Sequence, residues 1–340
     1  MKIGIVGAGA IGLTFAAALA RTNEVVVLAR RPELAELLAR DGITIERADR
    51  NANAKSNEKA NENSDTGEIE RVRVEASGDP RALADRDALI VAVKAYATAD
   101  ALAPLRAVLP PHTLVASVQN GLGNVEAART ALPEARIVAG STTQGAIRIA
   151  DGRVRPMNSG TTLFARAPSG TPIGPGAAVG RTSAPTSDDL AAAFVAAGLD
   201  ARVVDDVDAI LWRKLVVNAA INPACALAAR PNGAVVDDPD LEALARALAA
   251  EASAVARAEG VAIDRPWEAV AEAARASAAN RNSMLQDLEA GRPTEIEAIS
   301  GEIARRAATR GIAVPVTETV LRLVRGRERS TAEHRSKGPS

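Results

Sequence analysis

The stretch MKIGIVGAGAIGLTFAAALAR, Met1 to Arg21, decides the fold. From Ile3 to Ala20 it carries no charge, so it first suggests a signal peptide or a membrane span. Gly4, Gly7, Gly9 and Gly12 interrupt the run, and Lys2 alone would have to serve as its basic leader. The stretch divides instead into a strand, Lys2 to Val6, a glycine turn, and a helix, Leu13 to Arg21. Gly7, Ala8, Gly9, Ala10, Ile11 and Gly12 then form GxGxxG between strand and helix. The first glycine allows the tight turn, the second a close approach of backbone to a pyrophosphate, and the third close packing of helix on strand. The helix N-terminus faces the phosphates with unused N–H groups and a positive dipole end. A lone GxGxxG also fits an ordinary strand-to-helix connection. A second strand, Glu24 to Ala29, follows at βαβ distance and selects dinucleotide binding.

That second strand ends in Arg30 and Arg31, where an enzyme selective for NAD commonly places an acid for the ribose hydroxyls. A carboxylate would repel a 2′-phosphate and arginine can bind it bidentately, so the expected cofactor is NADPH, held by Arg30 with Arg31 as the alternative. A solvated basic pair at a strand end is the plain alternative. Strands at Ala88 to Val93, Thr113 to Ser117, Arg136 to Ala139, Thr161 to Ala165 and Arg202 to Val204 alternate with alanine-rich helices, the pattern of an α/β, doubly wound parallel sheet. Two stretches, Ala48 to Glu68 and Ser169 to Ser187, lack apolar periodicity and read as surface loops. After Asp205 the pattern becomes helical without strands up to the region of Pro315. The expected organisation is therefore a Rossmann domain, 1–204, an all-helical domain, 205–328, and a polar, frayed tail, 329–340, beginning beyond Arg325.

Within the helical part, LWRKLVVNAAINPACALAARPNG, Leu211 to Gly233, places Lys214, Asn218 and Asn222 at intervals of four in an apolar run. Steps of four advance about 40° each on an α-helix, so the three polar side chains share one stripe. The stripe either meets water or surrounds something polar. The chain takes almost all its positive charge from arginine: of its lysines, Lys2 and Lys337 stand at the termini and Lys55 and Lys59 in the polar insert, which leaves Lys94 and Lys214. Arginine does not usefully release a proton, whereas lysine can, which makes Lys214 a candidate acid. Lys94 ends one predicted strand and QNGLGN, Gln119 to Asn124, follows the next, at the carboxyl ends where such sheets bind ligands. A simple turn is the plain reading of Asn120-Gly121 alone.

At 340 residues and 47% hydrophobic, the chain is long enough for two cored domains. A net charge of -1 without a Lys/Arg block gives no footprint for nucleic acid or an anionic membrane, so a small molecule is the expected partner. The single cysteine, Cys225, cannot form an internal disulfide and has no cluster for a metal around it, so no metal is expected and a reducing, cytoplasmic setting fits.

Taken together, GAGAIG, VKAY, QNGLGN, GSTTQGA, LWRKLVVNAAINP, RPNG, NSMLQDLEAGRPTEIE and RGIAVP resemble the ketopantoate reductase family over nearly the whole folded chain. The resemblance implies a Rossmann domain with a helical C-terminal domain, substrate between them, and reduction of ketopantoate to pantoate by NADPH. It implies Lys214 as proton donor, with Asn120, Asn218, Asn222, Asn232, Asn280 and Ser283 on the substrate. It implies Lys94, Asn120, Ala146 and Glu295 on the cofactor side, Glu295 also near the lysine. Each has a plainer reading: Asn232-Gly233 a turn, Ser283 a surface hydroxyl, Glu295 a first-turn acid. Thr294 and Glu297 read as a capping box, leaving Glu295 for function. Another branched 2-oxo acid as substrate, or a non-catalytic NADPH sensor, are the alternatives, and a sensor needs no Lys214 stripe. The two loop insertions depart from the family pattern and bear on assembly, where a homodimer is open, more than on chemistry.

Overall fold

Strand β1 (Lys2–Val6) is buried on both faces and leads directly into α1 (Ala10–Leu19), which shows buried side chains on nearly every turn. The structure, a computed structural model, describes residues 1–47, 68–167 and 184–336, with side chains described as far as 330. The insert from Ala48 and nearly all of the Ser169 to Ser187 stretch lie outside the described residues. Contacts divide the chain into two units, the first formed by Met1–Gln119 with Val125–Val207, the second by Asn120–Asn124 with Asp208–Ser340.

In the first unit the strands after β1 are β2 (Glu24–Leu28), β3 (Ile43–Glu46), β4 (Ile69–Val72), β5 (Glu75–Ser77), β6 (Ala88–Val91), β7 (Leu114–Ser117), β8 (Arg136–Thr142), β9 (Ala146–Ala150), β10 (Arg153–Pro156), β11 (Thr162–Ala165) and β12 (Ala201–Val204). Helices α2 (Pro32–Asp41), α3 (Thr98–Leu102), α4 (Asn124–Ala131) and α5 (Ser187–Ala196) connect them. Eight strands form one sheet in the order β12-β11-β8-β7-β6-β1-β2-β5. All its neighbours are parallel except β11 against β8. On β6, Ala88 and Ile90 join one apolar cluster while Leu89 and Val91 join another, as expected for a parallel sheet covered on both faces. All three phenylalanines stack edge to face, Phe194 lying 5.1 Å from Phe15 and 5.2 Å from Phe164.

A second sheet, in the order β4-β3-β10-β9, was not foreseen from the sequence. Helix α1 packs against β1 and β2 and also against β3, β9 and β10. Enclosure between two sheets is why the run from Ile3 to Ala20 can dispense with charge, and no described helix is long and apolar enough to cross a membrane.

The second unit contains α6 (Val207–Ala228), α7 (Ala234–Asp237), α8 (Pro239–Ala258), α9 (Pro266–Ala276), α10 (Ser283–Glu289), a π-helical turn (Glu297–Gly301), α11 (Glu302–Thr309) and α12 (Pro315–Ser336). Its own apolar core runs from Trp212 to Val324. Both carboxylate oxygens of Glu251 on α8 accept from the first turn of α12, at 2.9 Å from Val316 N and 2.7 Å from Thr317 N. That clamp satisfies helix N–H groups with an anion at the positive end of the dipole. Helix α12 continues as far as Ser336, so the part of the expected frayed tail from Gly326 to Ser336 is helical, while 337–340 lie outside the described residues. The expected capping box also does not form. Thr294 Oγ1 accepts from Ile296 N at 3.2 Å, while Glu297 turns outward to pair with Arg325 at 2.6 Å.

Candidate active site

The glycine turn of the first unit separates what the protein requires from what it leaves open. Gly7 has φ 115°, and a Cβ there would stand 2.8 Å from Val93 N. A Cβ on Gly12 would stand 2.0 Å from Gly7 O. These two positions must be glycine for the fold itself. At Gly9 the nearest atom to a Cβ would be Ala92 O at 3.9 Å, so nothing in the protein demands glycine there. Gly9 thus stands beside open space at the N-cap of α1, where free N–H groups of a helix start can meet an anion. Ala8, Ala10 and Ile11 complete this turn, with Ala10 the first helical residue.

The same contacts bring the segment carrying Lys94 against the turn, because Ala92 and Val93 crowd Gly7. Lys94 is half-buried and precedes a short 3-10 turn, Ala95–Ala97. Its loop is fixed by Gln119, which the sequence reading did not single out. Gln119 Nε2 donates to Val93 O at 2.9 Å and to Thr98 Oγ1 at 2.7 Å, while its Oε1 accepts from Ser117 Oγ at 2.9 Å. A buried amide two residues beyond a strand end was the signal that could have found it.

At the end of β2, Arg30 and Arg31 differ. Arg31 Nη2 is held by Asp151 Oδ1 at 2.5 Å, whereas Arg30 is exposed and has no ion pair or side-chain hydrogen bond to any described residue. Arg30 is thus the arginine able to take a phosphate without breaking an existing pair. Ala146 opens β9, paired with Pro156 in the second sheet.

In the second unit, α6 carries Lys214, Asn218 and Asn222 at helical intervals on one stripe. Lys214 is half-buried, and burial pushes its ammonium down from the ordinary lysine value to about 8, against the opposing pull of the Glu295 charge. Asn222 is only 8% exposed, yet neither its amide nor that of Asn218 makes a hydrogen bond with any described residue. Neither amide is among the fully buried polar atoms without a partner, so both remain open to water or to another polar group. Pro223, inside α6, removes the N–H that would have bonded the Ala219 carbonyl in the same turn.

Glu295 is buried and accepts from Asn120 Nδ2 at 3.4 Å. Asn120 belongs to the short segment Asn120–Asn124, which docks on the π-helical turn: Leu122 N donates to Ala298 O at 3.1 Å, and a Cβ on Gly121 (φ 83°) would meet Ala298 O at 2.3 Å. Asn120, Glu295 and Lys214 are therefore linked within one unit. Glu295, expected near both the cofactor and the lysine, acts on Lys214 through its charge. The remaining expected residues form a second group. Asn232 is buried, Asn280 and Ser283 are exposed, and Asn232 N donates to Asn280 O at 2.9 Å. Asn282, the N-cap of α10, joins them and was missed, although an Asn before an apolar helix is a recognisable cap signal. Cys225 is buried and its thiol is pushed up to about 11 by burial, which makes it an inert packing group. Among the described residues no cluster could hold a metal ion.

A glycine cradle on a parallel sheet, together with a lysine of lowered basicity beside unpartnered amides, defines a Rossmann-type oxidoreductase. Residues 3–169 match the family described as ketopantoate reductase PanE/ApbA, and residues 206–328 match its C-terminal part. The chain belongs to the ketopantoate reductase family. It is 33% identical over 330 residues to the 2-dehydropantoate 2-reductase of Halobacterium salinarum, covering 96% of this chain and 98% of that one. It is 38% identical over 244 residues to the same-named protein of Archaeoglobus fulgidus, covering 72% and 77%. A crystal structure of a PanE/ApbA family ketopantoate reductase from Ralstonia eutropha is similar with a TM-score of 0.81 at 31% identity, over 98% of this chain and 100% of that one. D-mandelate dehydrogenase, solved with NADH and anilino(oxo)acetate, shares the fold with a TM-score of 0.82 at 22% identity, over 98% and 100%.

Proposed function

We propose that this protein reduces ketopantoate to pantoate with NADPH, using Lys214 as the proton donor. The carrying observation is the α6 stripe: a half-buried lysine brought to about 8, followed by Asn218 and the buried Asn222, whose amides have no described protein partner. The names of the curated relatives support the substrate. When bound, NADPH would supply the hydride for the 2-oxo carbon. As the carbonyl π bond breaks, its electron pair moves to oxygen, and the Lys214 ammonium stabilises that charge and gives up one proton to make the hydroxyl. The neutral amine regains a proton from solvent.

The asparagines bind substrate oxygens without introducing a second cation to compete with the lysine. Asn120 and Asn232 join Asn218 and Asn222 in this role, with Asn280 and Ser283 at the exposed end of the α10 loop. Glu295 favours the charged form of Lys214 and so keeps the acid loaded near neutral pH. On the cofactor side, Gly7, Ala8, Gly9, Ala10, Ile11 and Gly12 would hold the pyrophosphate, Arg30 the 2′-phosphate, and Lys94, Ala146 and Asn120 the remainder. The test is to follow NADPH oxidation with a panel of 2-oxo acids. Ketopantoate should give the highest kcat/KM. A higher value for another branched 2-oxo acid would keep the chemistry and change the substrate, while no turnover with any would remove the reading.

A further inference from the structure

Behind Asn232 lies a chain of hydrogen bonds whose direction is imposed at both ends by backbone. Leu285 N, which can only donate, gives its proton to Asn282 Oδ1 at 3.0 Å. Asn282 must therefore present its Nδ2 elsewhere, and this nitrogen donates to Asn232 Oδ1 at 3.1 Å. Asn232 in turn presents its Nδ2 to Ser277 Oγ at 3.0 Å. The hydroxyl of Ser277 donates to Ala273 O, a carbonyl that can only accept, at 2.7 Å. An amide has two orientations that differ only by exchanging oxygen and nitrogen, and here the polarity of the chain selects one of them. Asn232 and Asn282 are 6% and 5% exposed, so water does not readily substitute for either partner. The backbone reinforces the placement, with Asn232 N on Asn280 O at 2.9 Å and Gly233 N on Ala278 O at 3.0 Å.

We propose that Asn282 is a positioning residue that fixes the Asn232 amide so that its second N–H is offered to an oxygen of the substrate. The proposal rests on Asn232 contacting substrate and deepens that reading. Asn282 itself touches no substrate. It performs two separable tasks, capping α10 through its oxygen and orienting Asn232 through its nitrogen.

The two tasks can be separated by Asn282→Asp. Aspartate keeps the acceptor that caps Leu285 N and is a good cap, but it replaces the donor facing Asn232 with a second acceptor. The Asn232 amide must then turn its nitrogen towards residue 282, and Ser277 can reverse its hydroxyl to follow. Thermal midpoint and NADPH affinity should stay close to those of the parent, while KM for the 2-oxo acid rises by about tenfold and kcat changes much less, the scale of one lost hydrogen bond. Asn282→Ser, which also caps but is too short to reach Asn232, should reproduce the rise in KM and guards against a folding failure of the aspartate variant. Asn232→Ala is measured alongside. If Asn232→Ala raises KM and both Asn282 variants leave it unchanged, positioning by Asn282 is overturned. If Asn232→Ala itself leaves KM unchanged, the substrate contact is wrong and the positioning role falls with it.

Discussion

In the proposed reaction, Lys214 has to be an acid that is loaded near neutral pH yet releases its proton to an alkoxide. Burial and the Glu295 charge act on it in opposite directions, and burial is the larger, leaving it at about 8. Because the protonated form is the active one, kcat/KM for reduction should fall as pH rises through about 8, with the charged lysine retained below it. Replacing Glu295 with Gln removes the effect that raises the lysine, so the alkaline limb should move to lower pH. A pH–rate profile of the Glu295→Gln enzyme that keeps its limb in place would separate the two residues. The lysine and both asparagines were legible in the sequence because a helix converts an interval of four into one stripe. Asn282 was not, because its partner Asn232 is distant in sequence and hydrogen-bond polarity is a property of the fold.

At the level of elements, strand β2 delivers Arg30 with no described partner and Arg31 already tied to Asp151. Arg30→Ala should therefore weaken NADPH far more than NADH, by roughly tenfold or more for loss of a bidentate phosphate contact, and fluorescence titration of both cofactors would show it. Equal losses would remove the 2′-phosphate assignment. Helix α6 ends on Ala229 at φ 53°, with Arg230 N closing on Cys225 O at 3.0 Å, a cap in which glycine is normally favoured. Ala229→Gly should stabilise the protein by about 1 kcal/mol in denaturant unfolding, through relief of the left-handed conformation. The central strands of the main sheet were readable because both their faces are apolar, as in Ala88–Val91, whereas the short, exposed edge strand β5 was not. Those of the second sheet were not: β4 follows a polar insert, β9 is largely exposed, and the sheet is joined only by β3 pairing with β10 across a long stretch of chain. The expected Thr294 box failed for a similar reason, since Arg325, 28 residues away, claims Glu297.

Taken whole, the molecule is divided into two separately cored units, with the glycine turn in the first and the Lys214 stripe in the second. The sequence placed the change of architecture near Asp205, close to where α6 begins, because the strand pattern stops there. It did not reveal that Asn120–Asn124 belongs with the helical unit, since a five-residue segment has no periodicity of its own. Its allegiance is set by contacts with Ala298 and Glu295. The division has a direct consequence for Lys214, whose loss should disable proton transfer without dismantling the phosphate cradle. The decisive measurement is turnover and NADPH affinity of Lys214→Ala and Lys214→Arg side by side. Both should bind NADPH nearly as the parent does and lose roughly 10²-fold or more in kcat, because arginine keeps the charge but not a releasable proton. Near-normal turnover in Lys214→Arg would contradict proton donation by this residue and leave the stripe as a binding surface alone.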